Sequence, residues 1–241
     1  VAALHIYPVK SCAGHSVSKA ELTTTGFRYD RLWMVLNSSN RFVTQRRLPK
    51  MAHVRPSLPK ADDEPLMLTA PGMNDISVPV LRAKDKGAKI LEVWSSTCDG
   101  VDQGDAVAAW LTSFLGGGSG DGEAYRLVRM DEAFRRPVDP DFGGRGHFVS
   151  FADGFPMLWA SQESLEEVNR RLGEPIPMNR FRPNVVVTGS GPFCEDEWTE
   201  MRVNGIIMRP VKPCSRCKIP TIDQKTLATS NEPTETLRTF R

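Results

Sequence analysis

A β-rich α+β fold, arranged as two barrel-like units with a helix or two apiece, is what this sequence predicts. Three observations carry the prediction. Short runs of β-branched, aromatic and other apolar residues recur between turn clusters along most of the chain. Clear apolar stripes at helical spacing are few and do not alternate with the strands, which argues against a βαβ sheet. The length, 241 residues, suits one large domain or two small ones with a buried core.

Taken in order, Leu4-His5-Ile6-Tyr7-Pro8-Val9-Lys10 reads as a short strand whose proline points to an edge or a bulge. It delivers Lys10, Ser11 and Cys12 into a turn closed by Gly14. Tyr29-Asp30-Arg31 precedes the buried-strand composition Trp33-Met34-Val35-Leu36. After the Asn37-Ser38-Ser39-Asn40 turn, Phe42-Val43-Thr44-Gln45 returns as the second strand of a hairpin. Leu66 to Thr69 and Ile76 to Val78 pair around Pro71-Gly72, and Ile90 to Trp94 is a further strand. Val107, Trp110, Leu111, Phe114 and Leu115 mark a helix that Asp105 opens. It stops at the glycine run 116–122, either a domain boundary or a loop insertion. Tyr125 to Val128 resumes as a strand. A second helix starts at Ser161, carries Leu165, Val168 and Leu172 on one face, and ends at Gly173. Pro183 to Thr188 is a buried strand, and Met201 to Met208 a hairpin turning on Asn204-Gly205.

Composition narrows the classes. Hydrophobic residues make up 40% and charged residues 25%, an ordinary globular balance. A formal charge of +2 does not argue for nucleic acid, and no apolar run approaches the ~18 residues of a membrane helix. The chain opens on Val1 rather than methionine and reads as a fragment of a longer protein. Five sparse cysteines are not a secreted disulfide framework, so a reducing, intracellular compartment is expected.

The chemistry concentrates in Pro213-Cys214-Ser215-Arg216-Cys217-Lys218, where cations interleave with two cysteines and favour a thiolate. Spacing leaves four readings open: a zinc site lacking an evident second ligand pair, a dithiol redox motif, two packed cysteines, or one thiolate bound to a soft metal or cofactor. Lys10, Ser11, Arg31, Arg182 and Arg216 lie beside expected strands. Singly each is a surface charge or a core ion pair, as Asp30 beside Arg31 would make; together they would hold an anion. Neither a Walker A nor a G-x-G-x-x-G loop is present. Asp153, in Phe151-Ala152-Asp153-Gly154-Phe155-Pro156, is either a turn residue or, if burial raises its pKa, a proton donor. Arg46, Arg47, Lys50 and Arg55 form a basic run that is either a solvated strand edge or a dock for an acidic partner.

Tyr7-Pro8-Val9-Lys10-Ser11-Cys12, Tyr29-Asp30-Arg31-Leu32-Trp33, Phe181-Arg182-Pro183-Asn184, Glu195-Asp196-Glu197-Trp198 and Cys214-Ser215-Arg216-Cys217 resemble, in order and spacing, the MOSC-domain proteins. Phe151 to Pro156 and Glu232 to Arg238 resemble the amidoxime-reducing components among them, especially plant and algal members. The resemblance implies an N-terminal β-barrel domain over residues 1–127 followed by a MOSC β-barrel domain over 132–241, and a molybdenum cofactor (Mo-molybdopterin). By the same resemblance Cys217 is the molybdenum ligand. Lys10, Ser11, Arg31, Arg182, Ser215 and Arg216 hold the pterin and its phosphate, and Asp153, Gly154 and Phe155 line the cofactor, with Asp153 near the metal. Small N-hydroxylated substrates such as amidoximes and hydroxylamines would be reduced with electrons from NADH through cytochrome b5 reductase and cytochrome b5. Nitrite reduction to nitric oxide is a further implied activity. The expected location is cytoplasmic, or the mitochondrial outer membrane where an N-terminal anchor precedes the chain. The competing readings are the C-terminal domain of a molybdenum cofactor sulfurase and a non-catalytic binding module.

Overall fold

The computed structural model describes residues 1–94, 96–116 and 122–241. Strands dominate, and two four-stranded sheets organise them. The first runs Trp159–Ser161, Val185–Val187, Ala3–Ile6, His15–Val17, and the second Trp33–Asn37, Tyr125–Met130, Ser96–Asp102, Lys89–Val93. All pairings in the second sheet are antiparallel; in the first, Trp159–Ser161 lies parallel to Val185–Val187. That parallel pair needs a crossover, which the helix Gln162–Arg171 supplies, so one βαβ unit stands among strand pairs that are otherwise antiparallel. A three-stranded sheet of Arg55–Pro56, Leu66–Thr69 and Ile76–Val78 and two separate hairpins complete the β structure.

Several expectations shift by a few residues, each for a local reason. The first strand ends at Ile6 and lies inside its sheet; Pro8, which lacks an N–H, falls beyond the ladder rather than on an edge. The returning segment pairs only briefly with the outer edge of Trp33–Asn37: Leu36 bridges Phe42, the Asn37 N–H donates to the Arg41 carbonyl (2.9 Å) and the Val43 N–H to the Val35 carbonyl (2.9 Å). The second helix closes at Arg171, since Leu172 already turns extended and leaves Gly173 outside. The Met201–Val203 and Ile206–Met208 hairpin turns as expected, with φ of 49° at Asn204 and 79° at Gly205. Within the glycine run, residues 117–121 lie outside the described ones.

The main core is built where the helix Asp105–Gly116 lays its apolar stripe on the second sheet. Val107, Trp110, Leu111, Phe114 and Leu115 pack with Trp33, Val35, Leu127 and Tyr125, all buried. Each large side chain so buried contributes about 1.5–3 kcal/mol. Val9, Cys12 and Met51 belong to the same cluster, which ties the Lys10–Ser11 turn to the rigid centre of the molecule.

Candidate active site

Tyr7 follows directly on the first strand and is only 4% exposed. The guanidinium carbons of Arg31 and Arg182 each lie 4.3 Å from its ring centroid. Two cations against one ring repel each other unless anions compensate. Arg31 has its compensation: Nη1 donates to Asp30 Oδ1 (2.8 Å) and Oδ2 (2.6 Å) and to Asn184 Oδ1 (2.9 Å), while Nη2 donates to the Arg182 carbonyl (3.2 Å). Arg182 does not. Its Nη2 is buried with no hydrogen-bond partner, and burial pushes its pKa down. A buried orphan guanidinium nitrogen beside a second guanidinium marks a place for an anion.

The turns that present these groups are strained together. Ser11 (φ 64°), Tyr29 (φ 68°), Arg31 (φ 48°) and Arg182 (φ 57°) all occupy the left-handed region that side chains normally avoid. Gly14 is required for a different reason: a Cβ there would come within 2.4 Å of the Tyr7 ring. Gln45, fully buried, donates from Nε2 to the Ser11 carbonyl (2.8 Å), and its amide exchanges hydrogen bonds with Gln224 (3.1 and 3.0 Å). This binds the stretch after Cys217 to the Ser11 turn.

Lys10 is buried, and its Nζ donates to the Phe151 carbonyl (2.7 Å) and to Asp153 Oδ1 (2.5 Å). Burial lowers its pKa to about 8, against the opposing pull of Asp153. Asp153 moves the other way from a proton donor. Burial would raise its pKa, but the Lys10 ammonium, the Trp94 indole N–H and Arg46 together hold it well below the usual carboxylate range. Its side chain is 57% exposed, so this is an ionised carboxylate at the surface of the site.

The segment bearing the cysteines is more open. Cys214, Ser215 and Arg216 are exposed, and Cys217 is half-buried with its sulfur accepting from the Ile219 N–H (3.4 Å). Arg216 stacks 5.2 Å over the Phe181 ring, one residue before Arg182, and the Cys214 sulfur feels the charges of Arg216, Asp153 and Arg46. Gly154 faces open space where a side chain would stand, whereas Phe155 turns edge-on to Phe142 and packs with Val138, Val149 and Ala152. Arg31 and Arg182 thus meet on the Tyr7 ring, while Lys10 pairs with Asp153 and feels the charge of Arg31.

Sequence reasoning overlooked Arg136 and Trp94. The buried Arg136 guanidinium donates to the carbonyls of Ser150 (2.9 Å), Ala152 (2.6 Å) and Asp153 (2.9 Å), fastening the loop that carries Asp153. Nothing local in the sequence distinguishes it from a surface arginine. Trp94 was read only as a strand end; its Nε1 donates to Asp153 Oδ1 (3.1 Å) from a residue at φ 56°, 49% exposed.

Among the described residues no group of three or more His, Cys, Asp or Glu side chains could hold a metal ion. The half-buried Cys217 offers one soft sulfur, a donor type that suits a transition metal carried by an organic anion. The orphaned Arg182 nitrogen and the adjoining Arg31 fit the anionic part of such a group. No helix among the described residues is long and apolar enough to cross a membrane.

Comparison with known proteins identifies the family. The family model described as the MOSC N-terminal beta barrel domain matches residues 1–117, and that of the MOSC domain matches residues 147–241. The mitochondrial amidoxime-reducing component 1 of Homo sapiens is 34% identical over 250 residues, covering 100% of this chain and 72% of its own length. The mitochondrial amidoxime reducing component 2 of Bos taurus is 33% identical over 249 residues, with the same coverage. The chain belongs to the amidoxime-reducing components, MOSC-domain oxidoreductases that bind the molybdenum cofactor.

Proposed function

We propose that the protein is a molybdenum-dependent reductase of small N-hydroxylated compounds, amidoximes and hydroxylamines, that takes electrons from NADH through cytochrome b5 reductase and cytochrome b5. Nitrite reduction to nitric oxide belongs to the same proposal. The observation that carries it is the buried orphan nitrogen of Arg182 with Arg31 beside it on the Tyr7 ring, an arrangement that suits an anion in a chain of this family.

In this reading Lys10, Ser11, Arg31, Arg182, Ser215 and Arg216 hold the pterin and its phosphate, Gly154 and Phe155 line it, and Cys217 is the metal ligand. When bound, the cofactor supplies the two-electron reduction that breaks the N–O bond, with the oxygen leaving as water. The chain contributes position and protons. The Ile219 N–H donates to the Cys217 sulfur and orients it. Lys10 is the member of the Lys10–Asp153 pair that can give up a proton near neutral pH, since the lysine titrates at about 8 while the carboxylate stays ionised. Asp153 then serves proton delivery by holding the Lys10 ammonium in place, rather than as a stored acid.

The test is benzamidoxime reduction by the cofactor-loaded protein with cytochrome b5, its reductase and NADH, alongside molybdenum content per chain. Cys217→Ser should lose turnover by at least about 100-fold, the scale reached when an essential catalytic group is removed. Cys214→Ser should keep most of the activity. Full activity in Cys217→Ser with molybdenum bound would sink the ligand assignment.

A further inference from the structure

Arg46 occupies a position at this site that its own chemistry explains. Its guanidinium carbon lies 5.0 Å from the Trp94 ring centroid, and Nη2 sits 3.5 Å from Asp153 Oδ2. Asp153 Oδ1 is saturated by Lys10 Nζ and the Trp94 indole N–H, whereas among the described residues Oδ2 has only this long ion pair. The Asp153 and Trp94 side chains are both about half exposed, and Phe42, 5.0 Å away edge-on, braces the indole. A planar N–C–N cation therefore already rests against an aromatic face with a carboxylate at its edge, held more loosely than a buried pair would be.

We infer that the Asp153–Trp94 corner is a binding subsite for planar N–C–N cations, and that Arg46 is its internal occupant until an amidinium or guanidinium displaces it. The inference rests on the reductase reading for its substrate class and extends it to the charge the site prefers. An amidoxime loses its N–O bond to give an amidine, which takes up a proton and becomes a planar cation. The carboxylate and the indole face stand where that charge appears, so the corner favours the product-like state over the neutral substrate. One amidinium N–H meets Oδ2 while the plane of the cation stacks on the indole; both contacts are ones that Arg46 now makes imperfectly.

Titration calorimetry of the cofactor-loaded protein near neutral pH, comparing benzamidinium with its neutral isostere benzamide, tests this. Benzamidinium should bind about fivefold more tightly, the upper range for a half-exposed ion pair. Asp153→Asn should erase that preference. Trp94→Leu should weaken benzamidinium about threefold through the lost cation–π contact. Arg46→Ala should tighten benzamidinium about threefold, a gain that a misfolded variant cannot produce. Equal binding of the two ligands, or Arg46→Ala binding benzamidinium more weakly, would overturn the subsite. A preparation that reduces benzamidoxime yet shows no cation preference rejects the subsite and leaves the reductase reading intact. The reverse pattern, cation preference without reduction, rejects the reductase reading alone.

Discussion

Lys10 carries the most consequential charge in the molecule, because it is buried yet keeps a single carboxylate partner. An exposed lysine titrates at 10.5 and Lys10 at about 8, burial being the larger cause and Asp153 the partial offset. Between those values the unfolded chain binds more protons at this position than the folded one, so its contribution to stability rises with pH across the window. The span corresponds to roughly 3 kcal/mol at most, at about 1.4 kcal/mol for each factor of ten. Other groups titrate in the same range with the opposite sign: burial raises Cys12 to about 12 and Cys98 to about 11. The difference between wild type and Lys10→Met isolates the lysine. Urea titrations of the cofactor-free protein should show wild type gaining on Lys10→Met as pH rises from about 8 to 10.5. A constant difference across that window would mean that Lys10 titrates as an ordinary lysine.

At the scale of elements, the loop carrying Asp153 is set by groups far away in sequence. Lys10 reaches it across 143 positions, and Arg136, in the loop after Tyr125–Met130, holds three of its carbonyls. The Gly26 backbone lies against Pro156 so closely that a Cβ there would meet the proline carbonyl at 2.8 Å. Arg136→Met should therefore cost about 2–4 kcal/mol in urea midpoint analysis, as buried carbonyls lose their donors. Molybdenum content should fall with it. Arg136→Lys should recover little, because a point ammonium cannot reproduce a planar fork on three acceptors; full recovery would show that charge alone suffices. The same loop marks the limit of what the sequence discloses. Elements written in local periodicity were legible: the helix Asp105–Gly116, the Leu66–Thr69 and Ile76–Val78 pair, and the Asn204-Gly205 turn. The direction of the Asp153 pKa was not, since it depends on Lys10, Trp94 and Arg46, none of them its sequence neighbours. Arg136 was invisible for the same reason.

Across the whole molecule, the N-terminal strand is the stitch. Ala3–Ile6 lies between His15–Val17 and Val185–Val187, with Leu4 opposite Val185 and Ala3 opposite Val186. Asn184, 1% exposed, seals that seam: it donates to the His5 carbonyl (3.1 Å), and its Oδ1 accepts from Arg31 Nη1 (2.9 Å) and the Leu158 N–H (3.2 Å). Ile6, Phe27 and Val185 form one small core drawn from both ends of the chain. We propose that the division into 1–127 and 132–241 separates two units in chain order without making either self-sufficient. Alone, residues 132–241 would leave Val185–Val187 with an unpaired ladder edge and expose Val185 and Val186, which are buried in the intact chain. Losing about 1.5–3 kcal/mol for each such side chain, together with the unmet hydrogen bonds of Asn184, consumes much of the 5–15 kcal/mol that ordinarily separates folded from unfolded. The excised fragment should therefore give poorly dispersed amide resonances and no cooperative urea transition. Mixing it with residues 1–131 should restore both, because the Ala3–Ile6 strand and Arg31 return together. A sharp, cooperative transition for 132–241 on its own would show that the stitch guides assembly of the site without being needed for the fold.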